Sequence, residues 1–286
     1  MYVRIGEQRL FFDVVGEKLR IDGPRLVEKP TLIAMHGGPG FDHQRLRPDL
    51  DPLADVAQVL YLDHRGNGRS LPSDPGSWTL ERWGDDVRAL CEALGIDKPV
   101  VFGNSFGGLV AMSYLIRHPG HAAGAILSST GAWYDFSLIF DAFERRGGRE
   151  ARAAAERFWR RHSPEDQAEY RRVCSPVYST RPPLDPHQAA RTVANPEVAR
   201  HFLQPGGELH RLDFRPTLAA VTCPVLVIAG RDDPITPPEF SVEIAACLPK
   251  AGTELHVFDG CGHGPFRDEP ARVLSVMRRW IAARAP

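Results

Sequence analysis

The stretch from Val100 to Gly108, Val-Val-Phe-Gly-Asn-Ser-Phe-Gly-Gly, constrains the fold more than any other part of this 286-residue chain. It is a short apolar run, then a turn with glycine two residues to either side of Ser105, then the start of a helix. Glycines at 103 and 107 leave room for a tight, strained strand-to-helix turn that lifts a serine hydroxyl above the edge of a sheet. The helix N-terminus behind it favours negative charge developing beside that hydroxyl. A Gly-x-Ser-x-Gly pattern alone is a weak signal and gains weight from its strand and helix context. Such a serine needs a base, an orienting acid and an oxyanion hole from elsewhere in the chain.

The flanking pattern says what kind of sheet carries the turn. Residues 2 to 15 alternate around Gly6-Glu7, with Leu10, Phe12 and Val14 on one face, which predicts an opening antiparallel hairpin. Apolar runs then recur at Thr31 to Met35, Val56 to Leu62, Ala123 to Ser129, Val225 to Ala229 and Glu254 to Phe258. Between Leu80 and Leu94 the apolar residues take helical spacing, with Thr79 able to cap the start and Gly95 to stop it. Further helices are predicted from Phe106 to about His118, Pro237 to Leu248 and Glu269 to Arg284. Strands alternating with helices imply a mostly parallel sheet covered on both faces. The alternation stops from Trp133 to Arg211. Several helices and no convincing strand fill that stretch, broken at Gly147-Gly148, Ser163-Pro164, Arg181-Pro182-Pro183 and Pro205-Gly206-Gly207. We therefore expect a core domain of residues 1–130 and 212–286 and a helical cap domain of residues 131–211.

A hydrophobic content of 43% is ample for a buried core, and a net charge of -1 gives no basic character to recommend a nucleic acid or an anionic membrane as partner. Arg4, Glu7, Arg9 and Asp13 interrupt the apolar runs near Met1, so no secretory leader is expected, and no run approaches a membrane span. The five cysteines are scattered, with no Cys-x-x-Cys pair to suggest zinc or redox chemistry. A cytoplasmic protein with reduced thiols, no metal and no cofactor is the expectation. The oligomeric state is not legible.

In open parallel sheets ligands gather at the C-terminal ends of the strands, so the loops that follow the apolar runs hold the candidates. They are His36-Gly37-Gly38-Pro39-Gly40, the segment Asp63 to Ser70, the pair Asp232 and Asp233, and Asp259 to Gly264 with His263 between two glycines. Ser, Asp and His thus occur in the order expected when a strand-end serine is activated by a histidine that a carboxylate orients.

From about Thr31 to the C-terminus these motifs resemble the α/β-hydrolases. The resemblance implies Ser105 as nucleophile, His263 as general base and an aspartate as its partner. In that family the acid sits three residues after a glycine, which from Gly230 selects Asp233, with Asp232 as second choice. Thr236-Pro237-Pro238-Glu239 reads as a capping box with proline at the first helical position, which leaves Asp233 free. By position the oxyanion donors are the backbone N–H groups of Gly38 and Phe106, and His36 takes a supporting role beneath that loop. His118 and His121 lie in a helix-ending turn and are read as capping or solvent-facing.

His-Gly-Gly-Pro-Gly followed by Asp-x-Arg-Gly-x-Gly-x-Ser resembles the proline iminopeptidase branch, which removes N-terminal proline from peptides. The chain carries Asn104, Phe106 and His64 where that branch typically has glycine, tryptophan and glutamine. Its serine turn also looks like those of esterases, lactonases and carbon-carbon bond hydrolases. The expected partner is a small-molecule or short-peptide substrate, with ester or lactone cleavage as the alternative and ligand binding without catalysis as the third reading. Serine at 105 disfavours epoxide hydrolase and dehalogenase chemistry, which need aspartate there. Candidate acids in the cap are Glu144, Glu156, Glu165, Glu169 and Glu208. An arginine-rich stretch from Glu144 to Arg161 reads as an exposed helix face laced with Glu–Arg pairs. Trp133, Tyr134, Phe136, Phe140, Phe143 and Phe158 either line a pocket or join cap to core.

Overall fold

Alternating burial builds the first hairpin as predicted. Strand β1 (Tyr2–Ile5) pairs antiparallel with β2 (Gln8–Val15), Val3 opposite Leu10, across a turn at Gly6 with φ 57°. The computed structural model describes residues 1–182, 187 and 190–284. Strands β3 (Leu19–Asp22) and β4 (Arg25–Glu28) make a second hairpin that the periodicity does not predict. It stands clear of the core, with Ile21 80% and Leu26 69% exposed, so no buried face imposes a pattern on it.

The remaining strands are β5 (Thr31–Met35), β6 (Gln58–Leu62), β7 (Val100–Asn104), β8 (Gly124–Ser128), β9 (Val225–Gly230) and β10 (Thr253–Phe258). With the first hairpin they form one sheet in the order β1-β2-β6-β5-β7-β8-β9-β10. From β6 to β10 every neighbour is parallel, with Ile33 beside both Leu60 and Val101, and β2 joins antiparallel to β6. The central strands are apolar throughout because both faces are buried. Ile33, Val101, Leu127 and Val227 face one core, and Leu32, Phe102, Ile126 and Ile228 face the other.

Helix α1 (Leu80–Leu94) begins where the Thr79 side chain accepts the Arg82 N–H and ends at Gly95, whose φ of 66° is open to glycine at little cost. Helix α2 (Phe106–Arg117) is buried on almost every side, which suits a helix directly behind the central strand. Arg65, in the loop after β6, makes a two-pronged buried ion pair with Asp86 of α1 at 2.6 and 2.8 Å.

Between β8 and β9 the described residues hold helices and a single isolated bridge, Trp133 to Asp213. Helix α3 (Phe136–Arg160) is kinked rather than ended at the glycine pair, Gly148 lying at φ 73° and ψ −172°. Helix α4 (Pro164–Val173) opens on a capping box between Ser163 and Asp166, and α5 (Pro196–Leu203) stops before Pro205-Gly206. Pro183 of the third expected break lies outside the described residues. Helices α6 (Pro238–Cys247), α7 (Pro265–Asp268) and α8 (Pro270–Ala282) complete the chain. Among the described residues no helix is long and apolar enough to cross a membrane.

Candidate active site

Ser105 stands between β7 and α2 at φ 54° and ψ −120°, a conformation that non-glycine residues seldom take and that costs on the order of 1–3 kcal/mol. Neighbouring strands hold it there. Its N–H donates to the Ser128 carbonyl at 2.9 Å, and its own carbonyl accepts the Gly108 N–H at 2.9 Å. The surrounding glycines are required by crowding: a methyl at Gly107 would overlap the Met35 carbonyl, and one at Gly37 would sit 2.9 Å from the Ser105 Cβ. The loop after β5 therefore lies directly against the serine.

Gly38 in that loop has φ 63° and Gly40 φ 87°. The Gly40 N–H donates to Asn67 Oδ1 at 2.6 Å, and the Gly40 carbonyl accepts the Asn195 N–H at 2.7 Å. Beneath the loop, His36 Nδ1 donates to the Gly37 carbonyl at 3.2 Å, and its Nε2 accepts the His64 N–H at 3.5 Å, which fixes the proton on Nδ1. The His36 ring lies 4.5 Å from that of His64, which is stacked on Trp83 at 5.2 Å. Burial pushes both imidazoles below the usual histidine range, Asp63 partly opposing this at His36. Phe106 packs between Trp83 and Phe202 at 5.5 and 4.8 Å.

The acid and the histidine follow the ends of β9 and β10. His263 Nδ1 donates to Asp233 Oδ2 at 2.8 Å and Oδ1 at 3.0 Å. Asp233 is 1% exposed, and Oδ1 also accepts the N–H groups of Ile235 and Thr236. The Thr236 hydroxyl donates to Oδ2 at 2.7 Å and lies 3.3 Å from His263 Nδ1. The predicted capping box is therefore absent. Helix α6 starts one residue later, at Pro238, with Pro237 in the cap position and no side-chain cap, because the threonine hydroxyl is drawn to the buried carboxylate. Asp232 is only partly buried, and the His263 ring bonds to Asp233 instead. Both ring bonds run through Nδ1, which leaves Nε2 without a bond to Asp233. No hydrogen bond joins Ser105 Oγ to His263 among the described residues, and such bonds commonly tighten only when substrate is bound.

Residues 30–270 match the family described as alpha/beta hydrolase fold. This chain belongs to the alpha/beta hydrolase fold family. The proline iminopeptidase of Lactobacillus delbrueckii subsp. lactis is 28% identical to it over 299 residues, covering 99% of this chain and 98% of that protein. The crystal structure of proline iminopeptidase from Mycobacterium smegmatis superposes with a TM-score of 0.78 at 24% identity, covering 99% of this chain and 98% of the other. A thermophilic esterase from Thermogutta terrifontis matches with a TM-score of 0.66 at 26% identity, covering 100% and 99%. The same alpha/beta hydrolase fold thus accommodates peptidase and esterase relatives of this chain.

The acids expected in the cap have other partners or surroundings in this alpha/beta hydrolase. Glu144 and Glu156 both pair with Arg152, and Glu169 pairs with Arg172. Glu165 is exposed in the first turn of α4. Glu208 accepts the Leu80 N–H at the start of α1, and burial raises its pKa. The arginine-rich stretch is laced as predicted, with Arg157 and Arg161 on Asp166 as well. From the segment between β8 and β9 it is a tyrosine that approaches His263. Tyr178 lies 5.9 Å from its ring, its hydroxyl donates to that of Tyr170 at 2.6 Å, and Phe143 and Phe158 pack on Tyr170. Phe136 and Phe140 stack together, and Tyr134 joins Phe240 of α6. His118 bonds Asp85, and His121 meets the Tyr114 hydroxyl, so neither belongs to the site.

Sequence reasoning did not find Thr236, Tyr178, Asn195 or Asp268 as parts of this region. Thr236 had a readable local role as a cap, which hid its tertiary one. The others have no motif of their own and reach the site by tertiary contacts: Asn195 meets Gly66 and Gly40, Tyr178 meets His263, and Asp268 meets Ser179. Asp42, His43 and Asp63 form a buried trio whose ligand atoms lie within 4.8 Å of one another. His43 Nδ1 donates to Asp63 at 2.7 Å, and Arg69 links the two acids, its guanidinium bonding Asp42 and its backbone N–H Asp63, so these polar atoms are taken up by one another and by Arg69.

Proposed function

We propose that this chain is a serine hydrolase that works through a covalent acyl-enzyme, with residues 131–211 capping a core of residues 1–130 and 212–286. The observation that carries the reading is the buried Asp233 in contact with His263 Nδ1, on loops at the same sheet edge as the strained Ser105. In this reading Ser105 Oγ attacks a carbonyl carbon while His263 Nε2 takes its proton. The Gly38 and Phe106 N–H groups receive the oxyanion, and α2 adds the positive end of its dipole. His263 then returns the proton to the leaving group, and water repeats the sequence on the acyl-serine. Asp233 holds the tautomer and stabilises the imidazolium in between.

For the substrate we propose a short peptide or amide with an N-terminal proline or similar residue, supported by full-length similarity to proline iminopeptidases. A second reading, a carboxylesterase or lactonase, is favoured by the Tyr178 phenol beside His263 and by the arginine partners of the cap glutamates. All five cysteines are unpaired, which suits a reducing compartment, and we place the protein in the cytoplasm. Proline arylamides, short acyl esters and lactones should be assayed side by side with wild type and Ser105→Ala. Arylamide turnover lost in the variant supports the peptidase, whereas ester turnover alone overturns that substrate class. Full activity in Ser105→Ala overturns the mechanism.

A further inference from the structure

The loop that carries His263 is held from outside the core. Its backbone N–H donates to the Tyr178 carbonyl at 2.7 Å, and Thr180 Oγ1 donates to the Gly260 carbonyl at 2.8 Å. A methyl at Gly262 would overlap the Tyr178 carbonyl, so the two segments touch along their backbones. Residues 178–180 belong to the long segment between β8 and β9, far along the chain from the histidine.

One carboxylate joins the two segments. Asp268, at the end of α7 and 2% exposed, accepts the Gly262 N–H at 2.6 Å, the Ser179 hydroxyl, and the Thr180 N–H at 3.4 Å. These hydrogen-bond donors are neutral, and they come from both the histidine loop and the 178–180 strap. A buried carboxylate is costly unless such donors surround it, and bonds to an ionised acceptor are about twice as strong as neutral ones. Lifting the strap would remove two of the three donors, so the charge itself resists separation of strap and loop.

We propose that Asp268 is a positioning residue for His263, clamping the 178–180 strap to the histidine loop so that the cap helps to hold the base in place. The proposal rests on the serine hydrolase reading above. Asp268 bonds Gly262, Ser179 and Thr180, not the His263 ring or Ser105; it acts through the Gly262–His263 backbone.

The protein and its Asp268→Asn, Ser179→Ala and Asp268→Asn/Ser179→Ala variants test it. The measurements are kcat and KM on whichever substrate wild type turns over, the rate of fluorophosphonate labelling of Ser105, and the melting temperature. Small displacements of a reacting group cost up to about a hundredfold, so Asp268→Asn should lower kcat and the labelling rate about 10- to 100-fold with KM within about twofold. Ser179→Ala should show a smaller loss of the same kind. The double variant should be no worse than Asp268→Asn, because the hydroxyl acts through the carboxylate. A kcat for Asp268→Asn within twofold of wild type, or a loss carried by KM alone, overturns the proposal. Should that variant fail to fold, unchanged kcat in Ser179→Ala, which removes only the hydroxyl bonded to Asp268, overturns it, and reduced kcat there supports it. Wild type that neither labels nor turns over any of the substrates overturns the hydrolase reading and, with it, this one.

Discussion

On the proposed serine hydrolase reading, replacing Asp233 by asparagine should separate catalysis from stability. The carboxylate accepts two backbone N–H groups on Oδ1 and the Thr236 hydroxyl and His263 Nδ1 on Oδ2. Asparagine is the same size, and its Oδ1 can keep both backbone donors. Its Nδ2 then faces the threonine hydroxyl, which can turn to accept, and His263 Nδ1, which must lose its proton to accept. The imidazole proton moves to Nε2, where it blocks uptake of the Ser105 proton. The equivalent substitution in a serine protease triad lowers kcat about 10⁴-fold, and about four decades at 1.36 kcal/mol each is roughly 5.4 kcal/mol of barrier. The stability change is far smaller. Exchanging charge-assisted bonds for neutral ones loses about 1 kcal/mol, or roughly 2–4 °C in melting temperature for a chain of this size. Steady-state kinetics and a thermal melt on Asp233→Asn and Asp232→Asn measure both quantities. Asp233→Asn retaining more than a tenth of wild-type kcat, or Asp232→Asn losing as much, would refute the assignment.

Two further outcomes concern the scaffold. Arg65→Met leaves the buried Asp86 with only Arg82, 3.5 Å away and half-exposed, and should destabilise the fold by about 3–5 kcal/mol in urea unfolding. A loss under about 1 kcal/mol would mean that the pair is solvated in solution. His36 and His64 both have imidazoles pushed down by burial, so the unfolded chain binds protons there that the folded chain refuses. The stability they contribute is complete above the unfolded value near 6.5 and is lost as pH falls below it, by up to about 1.4 kcal/mol per histidine at pH 5.5. Unfolding free energies at pH 7.5 and 5.5 should differ less in His64→Gln than in wild type, and an equal difference would contradict the burial argument.

Local periodicity made most of the core legible because each strand and helix there has a burial pattern of its own. Leu80 to Leu94 carries both its helical spacing and its end signals in sequence, and the structure reproduces them residue for residue. The β3–β4 hairpin escaped because its apolar residues face solvent, and the α3 kink was read as a break because Gly148 signals a backbone change without saying that the helix resumes.

The sequence by itself determined the order of strand, serine, acid and histidine, since these depend on short motifs with strict backbone needs. The family spacing from Gly230 selected Asp233, with Asp232 as second choice. Only the tertiary structure decided which of the two meets His263, because that contact joins loops 30 residues apart across neighbouring strands. It likewise decided that Thr236 serves the carboxylate instead of capping a helix, and that Tyr178 and Asp268 stand against the histidine loop. A hydroxyl or a carboxylate has several local uses of similar strength. A buried charge that must be satisfied selects among them, and burial is known only once the chain has folded.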